Sequence, residues 1–427
     1  MKDLKSVSVQ AIDSDIALLL PNGVYEIKPM EPKPRLKSVA FFCVALAVSG
    51  IVGFGYFCPD RVCALSKRDL MMAPAVYNDG MGKPLINLNS KSGLSYDEMI
   101  NDDFVFDMDS HDVMVFLHMQ KTGGTSFGKH LVHDLDLKRP CTCPIVRKRC
   151  YCFRPHSNQS WLFSRYTTGW KCGLHADWTE LTSCVDEKLD EMEGHIAKRR
   201  YFYITLLRGP VARYLSEYRH VQRGATWKAA RHFCNGRSAT EGEVPSCFES
   251  ETWEGVSLDE FMSCEFNLAS NRQTRMLSDL ELVGCYNTNY MSKTERDSIM
   301  LASAKKNLAS MAYFGLTEFQ KISQYIFEET FNLRFAIPFE QNNTTVSSST
   351  ITTLSNEQAT RIAHLNSLDL ELYDFAKKLL FQRFNKLKAR DNDFEQRFKH
   401  LGELPYKSGV TDFDWDKLSD DTTESLV

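Results

Sequence analysis

Two uninterrupted apolar runs, each followed by a glycine-containing loop and an amphipathic segment, constrain the fold of this chain most strongly. The first run is "VMVFLHM", Val113 to Met119, and the second is "YFYITLL", Tyr201 to Leu207. Such runs are typical of strands that are buried on both faces, as in parallel sheets. The sequence therefore predicts an α/β fold with a central parallel sheet flanked by helices.

Capping signals predict where the helices begin. Gly209 suits the N-cap position after the second run, and Pro210 suits the first helical turn. Ser355 and Gln358 form a predicted capping box ahead of an apolar stripe with helical spacing. We interpret this stripe as core packing, with a partner interface as the alternative. The stripe consists of Leu365, Leu368, Leu372, Phe375, Leu379 and Leu380.

An uncharged segment of twenty-one residues, Ser38 to Cys58, is long enough to cross a bilayer. It is too long and too far along the chain for an ordinary cleaved signal peptide, and a buried helix is the alternative. Basic residues crowd its N-terminal flank, which favours a cytoplasmic N-terminus and a lumenal remainder. The predicted organisation is a cytoplasmic tail (1–37), a transmembrane helix (38–58), a stem (59–103), a folded domain (104–390) and an acidic, disordered tail (391–427).

Cysteine usage agrees with a lumenal location. The chain has thirteen cysteines, and ten lie between Cys141 and Cys285, including the pairs Cys141/Cys143 and Cys150/Cys152. In an oxidising compartment, disulfides are more typical than the zinc site that such pairs form in cytosolic proteins. The sequence leaves the connectivity open. Three N-x-Ser/Thr sequons predict glycans at Asn158, Asn342 and Asn343.

The net charge of -4 conceals a local excess of positive charge. Eight basic and no acidic side chains lie between Lys138 and Lys171, where aromatic residues alternate with them. A polyanion is the expected partner of such a surface, and a lumenal location argues for a polysaccharide and against nucleic acid. The residues predicted to bind it are Arg139, Arg147, Lys148, Arg149, Trp170 and Lys171.

The stretch "FLHMQKTGGTSFGK", Phe116 to Lys129, has the features of an anion-binding loop. Glycines after a buried strand let backbone N–H groups approach an anion, and the next helix adds its positive end. Gly123, Gly128 and Lys129 fit the P-loop spacing, but His130 occupies the position of the magnesium-binding hydroxyl. A glycine turn with a solvated lysine is the alternative. The predicted anion-binding residues are Lys121, Thr122, Gly123, Gly124, Thr125 and Ser126.

Four motifs in order carry a family resemblance. They are "HMQKTGGTSFG", "CGLHADWTEL", "LSEYRHVQRGATWK" and "NRQTRMLSDL", within about Val113 to Phe339. They resemble the heparan sulfate 6-O-sulfotransferase family, which uses 3′-phosphoadenosine 5′-phosphosulfate and no metal. The resemblance implies a P-loop-like sulfotransferase fold over 104–390 and a Golgi location with the catalytic domain in the lumen. It also implies heparan sulfate as acceptor, and it leaves the oligomeric state open.

The resemblance also implies residue roles. Lys121 contacts the donor and stabilises the departing phosphate, and His175 acts as general base, with Glu217 and Asp177 as alternatives. The family usually has Asp at the position of Gly209, so this chain lacks any polar contact that such an Asp side chain makes. The residues implied to complete the donor site are Arg208, Ser216, Trp227, Lys228, Asn271, Arg272 and Arg275.

Three alternatives remain at this stage. Another Golgi polysaccharide sulfotransferase would share the donor loop, whereas a lumenal carbohydrate kinase would use the near P-loop that ends at Lys129. A non-catalytic heparan-binding membrane protein would need only the basic stretch. Activity with the sulfate donor in the presence of a metal chelator excludes the kinase, and donor binding excludes the non-catalytic protein.

Overall fold

The computed structural model describes residues 104–144, 149–339 and 354–404. Among them, four parallel strands form one sheet in the order β2-β1-β3-β6. These strands are β1 (Asp112–Leu117), β2 (Leu162–Phe163), β3 (Arg200–Leu207) and β6 (Tyr313–Leu316). A separate antiparallel pair consists of β4 (Phe233–Cys234) and β5 (Arg237–Ser238).

The central strands are buried on both faces, as the apolar runs predict. Every residue of β1 is buried, and β3 is buried after its first residue. The two strands run in parallel, with Val113 opposite Tyr201 and Leu117 opposite Thr205. The predicted parallel α/β sheet is therefore confirmed, and the carboxyl ends of β1 and β3 lie side by side at one edge.

Eleven α-helices lie in the described ranges. They are α1 (Gly124–His133), α2 (Arg165–Thr168), α3 (Trp178–Glu193), α4 (Pro210–Gln222), α5 (Leu258–Ser263), α6 (Arg272–Leu277), α7 (Lys293–Ser310), α8 (Gln320–Phe331), α9 (Asn356–Leu365), α10 (Ser367–Arg390) and α11 (Phe394–Lys399). The predicted N-terminus of α4 is confirmed, with Gly209 as N-cap and Pro210 as the first helical residue.

The C-terminal helices confirm the capping box and the core-packing interpretation of the apolar stripe. Ser355 Oγ accepts the Gln358 N–H, and the stripe is divided between α9 and α10 by a break at Asn366. Leu372 and Leu380 are completely buried in the main core. The other stripe residues of α10 pack around that core. Helix α10 therefore stabilises the sheet by covering apolar surface.

Five disulfides link the ten cysteines of the described residues. They are Cys141–Cys152, Cys143–Cys150, Cys172–Cys184, Cys234–Cys285 and Cys247–Cys264. The first two are nested around an antiparallel bridge between Thr142 and Tyr151. The disulfide interpretation of the paired cysteines is thus supported over a zinc site. Each cross-link limits the conformations of the unfolded chain and so stabilises the fold.

The predicted domain boundaries lie partly outside the described residues. The segments 1–37, 38–58 and 59–103 lie there, and so does the acidic end of the chain. None of the helices in the described ranges combines the length and apolar character needed to cross a bilayer. The predicted tail begins with folded chain, because Phe394 is buried beside Tyr325, whose hydroxyl donates to Asp391 Oδ2 (2.9 Å).

Candidate active site

The loop after β1 holds a backbone shape that depends on glycine. Gly123 has a φ of 87°, in the left-handed region that favours glycine. A Cβ on Gly124 would lie 2.3 Å from Cδ2 of His118, so only glycine fits beneath that ring. Helix α1 begins at Gly124, and its first N–H groups therefore point to the space above the loop. We call residues 120–126 the anion loop.

Hydroxyl contacts inside the protein fix the anion loop to the sheet. Thr122 Oγ1 donates to the carbonyl of Met119 (3.2 Å). Thr317 Oγ1 lies 2.7 Å from the carbonyl of Thr122 and 3.0 Å from that of Leu207. Thr122 is buried and acts through the shape of the loop, whereas Thr125 and Ser126 are more accessible on the first turn of α1. Sequence reasoning missed Thr317 because it lies almost two hundred residues away.

His175 is held next to the anion loop with a defined tautomer. Its Nδ1 lies 3.0 Å from the backbone carbonyl of His118. A carbonyl oxygen only accepts hydrogen bonds, so we infer that Nδ1 carries the proton and that Nε2 is the ring's acceptor in the neutral form. His175 also has a left-handed φ of 50°, a conformation that costs energy and that clusters at functional sites. This geometry suits a general base.

Aromatic rings enclose His175. The ring centroid of Trp170 lies 4.8 Å away, that of Trp227 lies 5.3 Å away and that of His118 lies 4.9 Å away. Arg165 stacks over Trp170, with its guanidinium carbon 4.9 Å from the ring centroid. The structure thus places Trp170, which is predicted to bind the polysaccharide, and Trp227, which is predicted to bind the donor, around the same histidine.

Positive charges surround His118. Burial, followed by the charges of His175, Arg165 and Lys121, lowers the pKa of His118 well below its ordinary value. His118 is therefore neutral near pH 7, while cationic side chains lie close enough to act on it. Lys121 has a left-handed φ of 64°. This local field favours an anion or the charge that develops during group transfer.

Arg208 extends the anion site to the end of β3. Gln273 fixes its backbone, since Gln273 Oε1 accepts the Arg208 N–H and Gln273 Nε2 donates to the Arg208 carbonyl, both at 2.9 Å. The Arg208 guanidinium reaches the carbonyl of Lys121 (3.4 Å). Burial lowers the pKa of Arg208 without removing its charge at neutral pH. Ser216 lies partly buried on α4.

Gly209 donates its N–H to Glu318 Oε1 (2.7 Å). A Cβ at Gly209 would lie 3.1 Å from the same oxygen. An Asp at this position would therefore add a second carboxylate beside Glu318, near Arg208. The absence of that side chain leaves fewer negative charges near the guanidinium.

Glu217 is held in ion pairs within the protein, which weakens it as an alternative base. Burial alone raises its pKa, but Arg272 and Arg213 bring the pKa down to about 2. Such a carboxylate accepts a proton poorly at neutral pH. Its Oε1 also accepts the Nε1–H of Trp227 (3.1 Å), so Glu217 positions a ring beside His175.

Asp177, the other alternative base, is the N-cap of α3. Its Oδ1 accepts the Glu180 N–H (2.9 Å), and its Oδ2 accepts the Tyr286 hydroxyl (3.2 Å). Burial raises the pKa of Asp177 to about 6. Both oxygens of Asp177 accept hydrogen bonds within the protein, so its side chain caps α3 and is less suited to act as a base.

Three further residues predicted to bind the donor form hydrogen bonds with backbone groups of the protein itself. Asn271 Oδ1 accepts the N–H groups of Leu368 and Asp369. Arg275 is buried and donates to the carbonyl of Leu268 (3.2 Å). Lys228 is exposed and donates to the carbonyl of Ser250 (2.9 Å). Their assignment to the donor site stays a prediction.

Some of the predicted acceptor residues have contacts within the protein, and others are exposed. Arg139 holds a loop, because its Nη1 donates to the carbonyl of Ser157 (2.7 Å) and its Nη2 to Oδ1 of the exposed Asn158 (3.0 Å). Arg149 is exposed, and Lys171 lies 3.9 Å from a carboxylate oxygen of Glu191. The predicted acceptor residues Arg147 and Lys148 lie outside the described ranges, and so do the predicted glycan sites Asn342 and Asn343.

The near P-loop is not completed in the structure. His130 Nδ1 lies 2.6 Å from Oδ2 of Asp134, and its ring stacks on Phe339. Lys129 lies in the second turn of α1, because the helix already begins at Gly124. Within the described residues, no three His, Cys, Asp or Glu side chains are grouped in a way that could hold a metal ion.

An anion loop and an arginine at adjacent strand ends, beside a histidine whose Nδ1 faces a backbone carbonyl, are typical of a group-transfer enzyme that binds a phosphorylated donor. Residues 105–376 match the model of the sulfotransferase family. The chain belongs to that family, which confirms the resemblance seen in the motifs.

Several curated proteins are similar to this chain. Heparan-sulfate 6-O-sulfotransferase 3-B of Danio rerio is 53% identical over 294 residues, covering 69% of this chain and 70% of the relative. Heparan-sulfate 6-O-sulfotransferase 2 of Gallus gallus is 45% identical over 399 residues, covering 89% and 97%. Heparan-sulfate 6-O-sulfotransferase 1 of Cricetulus griseus is 55% identical over 281 residues, covering 65% and 70%.

Proposed function

We propose that this protein transfers a sulfuryl group from 3′-phosphoadenosine 5′-phosphosulfate to the 6-hydroxyl of glucosamine residues in heparan sulfate. The observation that carries the proposal is the contact between His175 Nδ1 and the His118 carbonyl, which makes Nε2 a proton acceptor beside the anion loop. The names of the similar proteins support sulfuryl transfer to the 6-position of heparan sulfate.

The reaction is an in-line displacement in which the protein positions groups and stabilises charge. His175 Nε2 takes the proton of the sugar hydroxyl as the hydroxyl oxygen forms a bond to sulfur. The bond between sulfur and the bridging oxygen breaks, and its electron pair stays on the 5′-phosphate. Lys121 and the first N–H groups of α1 stabilise the negative charge on that phosphate.

The rest of the donor is assigned to the ends of β1 and β3. Arg208 suits the 3′-phosphate, because its guanidinium carries a permanent charge and its backbone is fixed by Gln273. Ser216 on the following helix adds a hydroxyl donor. This arrangement supplies positive charge from side chains and helix ends of the chain itself.

The acceptor is assigned to the basic stretch and to the rings around His175. Arg165 stacked on Trp170 presents a cation next to the base, where a sulfated or carboxylated sugar would lie. The exposed Arg149 extends this charge outward. Sulfated polysaccharide binding should therefore weaken as salt is added.

The proposed cellular arrangement is a Golgi membrane protein with one N-terminal span and a lumenal catalytic domain. Its support is the uncharged segment at 38–58, the five disulfides and the exposed sequon at Asn158. In sealed microsomes, Asn158 should carry a glycan and the catalytic domain should resist added protease. Digestion of that domain without detergent would contradict this arrangement.

The experiment for the proposed function is disaccharide analysis after incubation with heparan sulfate and labelled donor. We expect label on the 6-position of glucosamine, and we expect the reaction to continue in the presence of a metal chelator. Label at another position would indicate a different polysaccharide sulfotransferase. Activity that requires nucleoside triphosphate and magnesium would indicate the kinase alternative.

A further inference from the structure

His175 and Trp227 come from two segments that need a support to stay in contact. His175 lies just before α3 in a left-handed conformation, and Trp227 lies in the irregular chain between α4 and β4. An unfavourable backbone conformation persists only where its surroundings fix it. The contact between these rings therefore depends on what anchors the two segments to each other.

One buried carboxyl group, that of Glu180, reaches both segments. Glu180 Oε2 accepts the N–H of Asp177 (2.9 Å), which is two residues after His175. Glu180 Oε1 accepts the N–H of Phe233 (2.8 Å), which is six residues after Trp227. Glu180 is 3% exposed, so water does not replace these bonds easily. The side chain thus connects the start of α3 to the start of β4.

A second connection runs beside the first. The hydroxyl of Tyr286 donates to Asp177 Oδ2 (3.2 Å) and lies 3.3 Å from Nδ1 of His232. The disulfide between Cys234 and Cys285 joins the neighbours of those same residues. The disulfide holds the chain around Cys234 near the chain around Cys285. Glu180 instead binds the N–H of Asp177, after His175, and the N–H of Phe233, after Trp227.

We propose that Glu180 is a positioning residue that holds the His175 segment against the Trp227 segment. This inference rests on the proposed function, since it assigns His175 the role of base. Without the carboxyl group of Glu180, the N–H groups of Asp177 and Phe233 lose their acceptor. The two segments then relax, and a shift of about 1 Å in a reacting group lowers turnover by roughly a hundredfold.

The test compares Glu180→Gln and Glu180→Ala with a matched control, Glu328→Gln. Glu328 is also buried, and it also accepts a backbone N–H, that of Phe335 (3.3 Å), together with the side-chain amide of Gln324 (2.8 Å). Its contacts lie on α8 and the segment after it, away from His175. Measurements are kcat and KM with heparan sulfate, calorimetry with the desulfated nucleotide, and the melting temperature.

We expect kcat to fall about tenfold in Glu180→Gln, which keeps one acceptor oxygen, and about a hundredfold in Glu180→Ala. Donor affinity should fall by a smaller factor than kcat, because the anion loop keeps its contacts while Trp227, which is predicted to contact the donor, loses part of its support. Glu328→Gln should lower the melting temperature and leave kcat within about twofold. If Glu180→Ala does not fold, Glu180→Gln decides the question.

A double-variant cycle separates positioning from general damage. If Glu180 acts through His175, then removing Glu180 in the His175→Ala background should cause no further loss of kcat. An undiminished loss in that background, or wild-type kcat in the Glu180 variants, would overturn the positioning role. Absence of heparan sulfation by the wild-type protein would instead refute the proposed function.

Discussion

The anion loop and the cysteine-rich segment, residues 138–172, hold their shapes by different means. The anion loop follows a fully buried strand and is fixed by internal hydrogen bonds from Thr122 and Thr317. In the described parts of the cysteine-rich segment (138–144 and 149–172), the regular elements are β2 and α2, and two nested disulfides link the chain. Hydrogen-bonded backbone geometry therefore holds the proposed donor side, whereas disulfide cross-links hold the proposed acceptor side.

This difference predicts different responses to substitution. A single change in the anion loop alters the positions of several N–H groups together, so its effect should be large. A single change in the cysteine-rich segment removes one of eight basic side chains, and salt screens their charges. Its effect should therefore be small and should depend on salt.

The largest effect is expected from Lys121→Ala. Turnover should fall by about a hundredfold or more, because the side chain stabilises charge on the departing phosphate. Donor affinity should fall as well, since the same side chain contacts the bound donor. Lys129→Ala is the matched control, because Lys129 lies in the second turn of α1 and should leave both quantities within about twofold. Equal losses in the two variants would support a P-loop mode of binding.

A large effect is also expected from Gly124→Ala. The added methyl would lie 2.3 Å from the His118 ring, so the ring or the loop must move. We expect turnover to fall by roughly ten- to a hundredfold, because misplacing a reacting group by about 1 Å has an effect of this size. Gly194→Ala introduces backbone strain at a φ of 74° with no neighbour within 4 Å, and it should lower stability without affecting turnover. Normal kinetics in Gly124→Ala would show that the loop is not shaped by this contact.

A moderate effect is expected from joint replacement of Arg147, Lys148 and Arg149 by Ala. The KM for heparan sulfate should rise several-fold and depend less on salt, because fewer counterions are exchanged. Donor affinity should stay unchanged. Arg237→Ala, which removes an exposed arginine paired with Glu243, serves as a surface control. Parallel damage to donor binding would contradict the separation of the two regions.

The smallest effect concerns acid stability through Glu217. Burial alone raises the pKa of Glu217, but Arg272 and Arg213 hold it at about 2, below its ordinary value of 4.5. Its contribution to stability is therefore present above about pH 4.5 and is lost as the pH falls toward 2. Urea unfolding should show a smaller loss of stability between pH 6 and pH 3 in Glu217→Gln than in wild type. Identical losses would show that this carboxylate is not linked to folding.

Much of the fold follows from local sequence signals. Apolar runs predict β1 and β3 because burial on both faces leaves no polar positions, and Gly209 with Pro210 predicts the start of α4. The break between α9 and α10 at Asn366 was not predicted, because the apolar spacing continues through it. The disulfide connectivity was likewise beyond local signals, since it depends on which loops meet in space.

The site was predictable where its residues belong to continuous motifs. His175 and the anion loop lie in such motifs, but the partner of His175 Nδ1 is a backbone carbonyl, which no side-chain pattern reveals. Arg165 is one of the eight basic residues between Lys138 and Lys171, and composition alone does not reveal that it stacks on Trp170. The ion pairs of Glu217 depend on Arg272, which is fifty-five residues away.

The central claim is that His175 is the base and takes no part in binding the donor. Initial rates with saturating donor and heparan sulfate, together with calorimetry of the desulfated nucleotide, test it directly in His175→Ala. We predict that turnover falls by about a hundredfold to ten-thousandfold while donor affinity changes by less than about twofold. A folded His175→Ala protein that keeps more than about a tenth of wild-type turnover would contradict the claim.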